Sequence, residues 1–222
     1  IGFSVNVLGA NNVARCCAEA GAKLLLVSTS EVYGKQSVLP ITEMAEKNPV
    51  SIYGGYKLLS EQCVINWGET SGLNYAIVRL FNIFGLSVDG VLRRTVETIF
   101  LTKALSGEPL QVLGGDLASR DLLFISDAIT GLSLACEHIG NINRQIINIG
   151  SGKETTLLEL AIIVCDYVGA SRDLIRIKSQ SSPFRAKADI TLAQEMLNFS
   201  PEVGLIRGIE VIAASLGEND LT

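Results

Sequence analysis

Along most of its length the chain alternates helix-like segments with short apolar runs, and this order limits the possible folds more than any other feature. Residues 5–20 carry apolar side chains at helical spacing, and Gly21 is a plausible end for that helix. Residues 23–28 (KLLLVS) form a short apolar run, which is typical of a strand buried on both faces. Alternation of this kind predicts an α/β fold, with a parallel sheet covered by helices.

The alternation continues beyond a polar, proline-containing loop at 34–50. Strands are expected at 74–83, 109–113 and 145–149. Helices are expected at 53–70, 91–106, 126–139 and 155–168, followed by a short one from about 190 and a last one near 205–216. The fourth of these helices should be capped by Thr155 or Thr156. Two glycines in the first turn of the helix at 53–70 are unusual at that position.

Length and charge exclude several classes of function. The 222 residues suit one large globular domain or two small interleaved ones, and 48% of them are hydrophobic. A net charge of −5 without any basic run argues against nucleic-acid binding. One or two well-placed arginines can still hold a phosphate-bearing small molecule. No apolar run approaches the ~20 residues that span a bilayer, and no signal pattern opens the chain, so we expect no membrane contact and a cytoplasmic location.

Cysteine and histidine usage argues against metal and disulfide sites. There are five cysteines, an odd number without a Cys-x-x-Cys spacing, and they lie in helix-like apolar stretches. We therefore expect buried free thiols in a reducing compartment. The one histidine, His138, excludes a multi-histidine metal site, and its position near a helix end favours a surface or capping role.

The clearest chemical signal is the pair Tyr53 and Lys57 in YGGYK. On a helix these positions share a face, so both side chains would point to one site. A tyrosine has a pKa near 10 and is a poor base at neutral pH, but a neighbouring ammonium lowers that pKa. Such a pair can remove a proton from a sugar hydroxyl while a hydride leaves the same carbon. Taken alone, the spacing also fits a coincidence on a helix surface.

A second polar cluster follows the first predicted strand. Residues 27–34 (VSTSEVYG) place two or three hydroxyls and a carboxylate at the end of a strand. Ligands of open α/β sheets bind at this edge, although a Ser/Thr turn with local hydrogen bonds would look similar. The short chain distance from this cluster to Tyr53 favours a shared site.

These two stretches are part of a set through which the chain resembles a known family. It is similar, from residue 5 to about 216, to the extended short-chain dehydrogenases/reductases that act as NAD-dependent nucleotide-sugar epimerases and dehydratases. The matching stretches occur in the family's order: VNVLG (5–9), VSTSEVYG (27–34), YGGYK (53–57), RLFNIFG (79–85), GEPLQVLGGD (107–116), RDLLFISDA (120–128), INIGSG (147–152) and ADITLAQEML (188–197).

The resemblance implies a doubly wound parallel sheet of the Rossmann type, with a smaller, interleaved C-terminal substrate-binding region. Residues 1–85 and about 120–150 would form the rest of the NAD-binding domain, and about 86–119 and 151–222 the substrate-binding region. The family's glycine-rich turn, which holds the cofactor pyrophosphate, has no counterpart in the chain. We therefore expect a sheet without its first strands, and a fragment that binds NAD weakly and is poorly soluble or inactive.

The resemblance also assigns roles to individual residues. Tyr53 corresponds to the catalytic base, and Lys57 to the lysine that holds the nicotinamide ribose. Thr29 corresponds to the residue that hydrogen-bonds the sugar 4-hydroxyl, with Ser30 and Glu31 in the following catalytic positions. The expected neighbours of the cofactor are Asn6 and Ser28. The residues expected to hold the nucleotide diphosphate are Asn82, Arg120 and, as a further candidate, Arg185. An alternative for Arg120 is an ion pair with Asp121 or Asp127.

The family oxidises its substrate transiently at sugar C4 and then branches to epimerisation, loss of water or loss of carbon dioxide. Its 4,6-dehydratases usually carry Thr-Asp-Glu, whereas this chain has Ser30 at the middle position, which argues against dehydration. Thr-Ser-Glu is common in UDP-glucuronate decarboxylases, but those typically have arginine where this chain has Leu58. A 4-epimerase remains by elimination, with decarboxylase-like, dehydratase-like and non-catalytic relatives as alternatives.

Two further expectations concern the substrate and the assembly. Leu86 replaces the usual proline after the FNxxG turn, and the loop from Val88 to Arg94 is shorter than most, so the sugar and nucleotide stay open. The family's dimers pack through helices corresponding to 5–20 and 53–70, and the resemblance therefore implies a homodimer.

Overall fold

The predicted α/β architecture is confirmed by a computed structural model, which describes residues 1–86, 94–179 and 184–219. Its helices are α1 (Gly9–Ala20), α2 (Ile52–Ser71), α3 (Val96–Leu105), α4 (Ile125–Glu137), α5 (Leu157–Val168), α6 (Thr191–Leu197) and α7 (Leu205–Asn219). Its strands are β1 (Leu24–Thr29), β2 (Tyr75–Leu80), β3 (Asn82–Phe84), β4 (Leu110–Leu113), β5 (Ser119–Arg120), β6 (Leu122–Phe124), β7 (Ile146–Ile149), β8 (Thr155–Thr156) and β9 (Ile175–Lys178).

The main sheet is parallel and has the strand order β1-β2-β7. Thr29 at the end of β1 is in register with Leu80, and Leu80 is in register with Ile149. The carboxyl ends of all three strands therefore meet at one edge. Just beyond that edge, β3 continues the path of β2 and pairs in parallel with β6. Two further pairs complete the described sheets, β4 with β9 in parallel and β5 with β8 antiparallel.

Strand β6 separates two hydrophobic cores. Leu122 and Phe124 point into a core formed with α3, α5 and α7, which includes Phe100. Leu123, between them, points into the core beneath the main sheet, together with Val78. Because successive side chains along a strand point to opposite faces, these three residues contribute to both cores. The described elements beside the site are therefore packed on both faces of β6.

Several sequence expectations need correction at their boundaries. The expected strand at 74–83 is interrupted at Phe81 and becomes β2 and β3. The helix expected at 91–106 begins at Val96, and positions 91–93 lie outside the described residues. The first helix opens with a π-helical segment, Ser4–Leu8, and ends as expected at Gly21, whose φ is 65°. Thr156 caps α5 by accepting a hydrogen bond from the Glu159 amide at 3.0 Å.

The expectation of buried free thiols is confirmed only in part. All five cysteines are free, but Cys16 and Cys136 are exposed because they lie on the solvent faces of α1 and α4. His138 occupies the position that ends α4, as expected. None of the described helices combines the length and apolar character needed to traverse a bilayer.

The glycine-containing start of α2 has a packing reason. Ser51 caps this helix by accepting a hydrogen bond from the Gly54 amide at 2.9 Å. A Cβ atom on Gly54 would lie 2.7 Å from the carbonyl oxygen of Glu31, whereas one on Gly55 would meet no atom within 4 Å. Glycine at position 54 therefore lets the first turn of α2 pack directly against the turn that follows β1.

Candidate active site

The candidate site begins where β1 ends. Thr29 is the last residue of this strand, and a single turn of 3₁₀ helix, Ser30–Tyr33, follows directly. The hydroxyl of Thr29 accepts a hydrogen bond from the amide of Glu31 at 3.3 Å. This local bond turns the chain sharply, so that Ser30 and Glu31 lie at the carboxyl edge of the sheet.

At this edge the structure forms a cleft of about 280 Å³. Four residues named by the sequence analysis line it, although they come from three separate parts of the chain: Ser30, Glu31, Asn82 and Arg120. The other described residues of the lining are Gly34, Val50 and Phe184. Of the expected loop from Val88 to Arg94, positions 88–93 lie outside the described residues.

Helix α2 brings Tyr53 and Lys57 to the same region, one helical turn apart. The ammonium of Lys57 donates a hydrogen bond to the carbonyl oxygen of Val27 at 2.5 Å. Tyr53 remains 47% exposed. Burial raises the pKa of its phenol, and the negative charge of Glu31 raises it further. The expected lowering of the Tyr53 pKa by Lys57 is therefore not found, because the charge that acts on this phenol is the Glu31 carboxylate.

The environment of Lys57 combines burial with a nearby carboxylate. Burial lowers the pKa of its ammonium, and the charge of Glu61, one turn further along α2, opposes this shift. An ammonium has three donors, and the bond to Val27 uses one of them. The other two could bind hydroxyl groups of a ligand that lies against β1.

Ser51 is a member of the site that the sequence analysis missed. Besides capping α2, its hydroxyl donates to Oε2 of Glu31 at 2.5 Å. It therefore links the start of the helix that carries Tyr53 to the carboxylate in the cleft. A serine just before the start of a helix is a recognisable capping signal, but the bond of Ser51 to Glu31, 20 residues away, depends on the fold.

The two expected neighbours of the cofactor make contacts within the protein. Ser28 is buried, and its hydroxyl donates to the carboxylate of Glu61. Asn6 lies in the π-helical segment, where its side chain donates to the Gly2 carbonyl at 3.0 Å. Its own carbonyl oxygen accepts a bond from the hydroxyl of Ser60 in α2 at 2.8 Å.

Arg120 is fixed by main-chain oxygens and an aromatic ring. Its guanidinium donates to the carbonyls of Ser119 and Phe184 at 2.8 and 3.2 Å, and lies 4.7 Å from the centre of the Phe184 ring. Burial lowers the pKa of this guanidinium, and the Glu31 charge opposes that effect. Arg120 is thus a partly buried cation at the wall of the cleft.

The alternative ion pair of Arg120 with a neighbouring aspartate does not form. Asp121 accepts hydrogen bonds from the amides of Ser151, Gly152 and Ala188. Asp127 accepts bonds from the amides of Glu202 and Val203. Asp121 therefore holds the loops that contain Gly152 and Ala188 beside β6, Asp127 holds a loop against α4, and neither carboxylate pairs with Arg120.

Arg185 makes a different contact. Its guanidinium forms a two-point ion pair with Glu154, at 2.8 and 3.0 Å, and Glu154 also accepts a bond from the Ser119 hydroxyl at 2.6 Å. Of the two arginines, the structure places Arg120 in the lining of the cleft and pairs Arg185 with a carboxylate.

Comparison with known proteins places this geometry in a family. A family model described as the NAD dependent epimerase/dehydratase family matches residues 2–150. UDP-glucuronic acid decarboxylase 2 of Arabidopsis thaliana is 32% identical over 221 residues, covering 95% of this chain and 48% of the plant protein. The chain thus spans about half the length of that relative.

Two further relatives carry epimerase names. A putative UDP-glucose 4-epimerase of Methanocaldococcus jannaschii is 29% identical over 221 residues, covering 98% of this chain and 71% of the archaeal protein. The crystal structure of UDP-glucuronic acid 4-epimerase from Bacillus cereus, in complex with UDP-glucuronic acid and NAD, superposes with a TM-score of 0.85. The two chains are 25% identical, and the superposition covers 97% of this chain and 68% of the Bacillus cereus chain. Because the family model matches more than half of its length, this chain belongs to the NAD dependent epimerase/dehydratase family.

Proposed function

We propose that the protein containing this chain is an NAD-dependent nucleotide-sugar 4-epimerase, which oxidises its substrate transiently at sugar C4. The observation that carries the proposal is the single cleft that joins Ser30 and Glu31, next to Thr29, with Asn82 and Arg120. In this assignment, residues 1–85 and about 120–150 contribute to the cofactor domain. Residues 86–119 and 151–222 contribute to the substrate-binding region.

Tyr53 acts as the base in this proposal. Its phenolate takes the proton of the sugar 4-hydroxyl while the hydrogen on C4 leaves as hydride, and it returns a proton when the 4-keto group is reduced. The hydroxyl of Thr29 hydrogen-bonds the 4-hydroxyl and orients it toward Tyr53. Burial and the Glu31 charge raise the Tyr53 pKa, so the phenolate needs a positive charge beside it during turnover, and the proposal assigns that part to the Lys57 ammonium.

The nucleotide diphosphate is assigned to Asn82 and Arg120. A guanidinium that is already oriented by carbonyl oxygens loses little freedom when it binds phosphate, and its remaining N–H groups can form charge-assisted hydrogen bonds. Arg185 could join them only if its ion pair with Glu154 opened.

The residues of α2 and β1 fit a bound dinucleotide. The two further donors of Lys57 suit the ribose hydroxyls, and Asn6 and Ser28 lie on the segments that flank this position. Because the Ser28 hydroxyl is bonded to Glu61, any contact of Ser28 with the cofactor would come from its main chain. NAD, when bound, supplies the acceptor and donor of the hydride.

The choice of branch rests on Ser30 and Glu31. Dehydration needs an acid and a base beside the leaving hydroxyl, and Glu31 is the one carboxylate among the described residues that line the cleft. The second candidate, a UDP-glucuronate decarboxylase, is favoured by the 32% identity to the plant enzyme. The UDP-glucuronate decarboxylases of the family that the chain resembles typically carry arginine at the position of Leu58. The leucine in this chain therefore favours the epimerase.

The test is to incubate the full natural protein that contains residues 1–222 with NAD and a panel of nucleotide sugars, and to determine product mass and C4 configuration. An unchanged mass with inverted C4 supports the epimerase. Loss of carbon dioxide or water would replace it with the decarboxylase or dehydratase. If no sugar is converted although NAD is bound, the non-catalytic alternative would stand in its place.

Two further parts of the proposal concern assembly and location. A homodimer through α1 and α2 is supported by apolar side chains that these helices and the preceding turn expose, among them Val5, Leu8, Val13 and Leu59. Analytical ultracentrifugation of Val13→Glu should show monomers if this face is the interface. The free cysteines support a cytoplasmic location, which fractionation of the source cells can test.

A further inference from the structure

A buried polar row crosses the main sheet one residue below the candidate site. Ser28 on β1 is in register with Arg79 on β2, and Arg79 is in register with Asn148 on β7. All three are at least nine-tenths buried. Neighbouring residues in register project on the same face of a sheet, so the three side chains form one row. On β1, the next residue toward the cleft is Thr29.

Glu61 joins this row to α2. It is 1% exposed, and its Oε1 accepts hydrogen bonds from the Ser28 hydroxyl and from Nε of Arg79, the latter at 3.0 Å. Its Oε2 accepts a bond from Nη2 of Arg79 at 2.7 Å. Glu61 follows Lys57 by four residues and Tyr53 by eight, so all three lie on the same face of the helix.

The other end of the row is also bonded. Arg79 Nη1 donates to the hydroxyl of Tyr33 at 2.9 Å and to the carbonyl of Glu43 at 3.1 Å. Tyr33 in turn donates to Oδ1 of Asn148 at 2.6 Å. Burial raises the pKa of Tyr33 to about 12, so its hydroxyl stays neutral and remains a donor. The network therefore runs without a gap from α2 to β7.

Stability alone does not account for a fully buried ion pair at this place. Removing two charges from water costs several kcal/mol per ion, and replacement of such a pair by apolar residues of similar volume is often neutral or stabilising. The sheet around the row is otherwise apolar and could be packed with such residues. A role in geometry is the better explanation.

We propose that Glu61 is a positioning residue which, paired with Arg79, fixes the Tyr53–Lys57 face of α2 against the Ser28–Thr29 end of β1. Two successive bonds make this attachment, from Lys57 to the Val27 carbonyl and from Ser28 to Glu61. The role in turnover rests on the proposed function, whereas the attachment itself does not.

A second effect of Glu61 is electrostatic. Its carboxylate raises the pKa of Lys57 against the lowering caused by burial, and so helps to keep the ammonium charged. The other charged side chains near this face are Arg79, which is paired with Glu61, and Glu31, which lies on the turn after β1. Lys47, whose pKa Glu61 raises and Arg79 lowers, and Glu43, whose pKa Arg79 lowers, face the same ion pair from the loop before α2. On α1, which also packs against α2, Arg15 and Glu19 form an exposed pair with each other.

The test uses the full natural protein and a double variant, Glu61→Met with Arg79→Leu, which keeps apolar volume and leaves no unpaired charge. The matched control is Asp166→Met with Arg172→Leu, because that pair has the same two-point geometry at 2.8 and 2.7 Å but is exposed. The pKa of Lys57 is followed by NMR of lysines labelled with ¹³C at Cε, its signal being assigned through its loss in Lys57→Arg. The kinetic constants are measured in parallel.

The folded Glu61/Arg79 variant should have a Lys57 pKa below that of the wild type. Its kcat should fall at least about tenfold while KM changes less than about twofold, and the control should match the wild type. A folded variant with wild-type kcat and an unchanged Lys57 pKa would overturn the proposal. If the double variant does not fold, Glu61→Gln decides by the same readouts. A wild type that converts no sugar would defeat the proposed function, and the Lys57 pKa would still decide the role of Glu61.

Discussion

The Nζ atom of Lys57 lies 2.5 Å from the carbonyl oxygen of Val27, so the helix that carries Tyr53 is bonded to the strand that ends in Thr29. The same helix contacts the next turn of the chain through Ser51 and Glu31. These two contacts bring the base, the hydroxyl and the carboxylate of the proposed site together.

Tyr53→Phe removes the proposed base and keeps the ring. Turnover should fall by about 10²–10⁴-fold, the usual contribution of a general base, while the affinity for the nucleotide sugar changes little. Steady-state kinetics together with calorimetric binding of the sugar nucleotide measure both. Tyr56→Phe is the matched control, because Tyr56 lies on the same helix and packs edge-on against Phe3. Wild-type turnover in Tyr53→Phe would remove this residue from the mechanism.

Glu31→Gln should lower the pKa of Tyr53. The carboxylate disfavours the phenolate and so raises this pKa, and removal of the charge allows the phenol to ionise at lower pH. Tyrosinate absorbance can be titrated in both proteins, with the signal of Tyr53 identified by subtracting the same titration of Tyr53→Phe. An unchanged or higher Tyr53 pKa in Glu31→Gln would show that burial alone sets the value.

Gly54→Ala should weaken both the fold and the activity. Its new Cβ would meet the Glu31 carbonyl at 2.7 Å and force the first turn of α2 away from the cleft, at a cost of about 1–3 kcal/mol. In Gly55→Ala, one residue further along the helix, the new Cβ would have no atom within 4 Å. This variant should stabilise the helix by about 0.5–1 kcal/mol. Chemical denaturation and kcat of both variants check the pair. Equal stability and equal kcat in the two variants would mean that the close approach of Gly54 to the Glu31 carbonyl is unimportant.

Arg120→Met should raise KM for the nucleotide sugar by about tenfold to hundredfold, since a charge-assisted hydrogen bond contributes about 1.5–3 kcal/mol. Arg185→Met should have a much smaller effect, because its guanidinium is already paired with Glu154. A direct comparison by isothermal titration with the free nucleoside diphosphate separates the two arginines. If Arg185→Met were the more damaging, the diphosphate would have to be assigned to Arg185.

The parts of the fold that were predictable have long and regular patterns. The helical spacing in 5–20 and the apolar run in 23–28 are local signals, and both elements form close to the expected bounds. Strands β5 and β8 have two residues each and β6 has three, which is too short for any periodicity to show. Their pairing partners are chosen by tertiary contacts.

The residues of the site also fall into those that the sequence predicts and those that depend on the fold. The spacing of Tyr53 and Lys57 on one helix is visible in the sequence, and the resemblance to a family supplied Asn82 and Arg120. The roles of Ser51 and Glu61 were not visible, because their partners lie 20 and 33 residues away and are brought close only by the packing of α2 on β1. The reversed shift of the Tyr53 pKa has the same origin, since the position of the Glu31 carboxylate follows from the fold.

The most direct test of transient oxidation at C4 uses the nucleotide sugar that the panel shows to be converted, carrying deuterium at C4, and the full natural protein with NAD. We expect a primary isotope effect on kcat/KM under conditions where chemistry limits the rate, and a product with inverted C4 that keeps its deuterium. The same experiment with Tyr53→Phe should form this product at least about a hundredfold more slowly. A product inverted at C4 without any deuterium there, or a wild-type rate of product formation by Tyr53→Phe, would contradict the account.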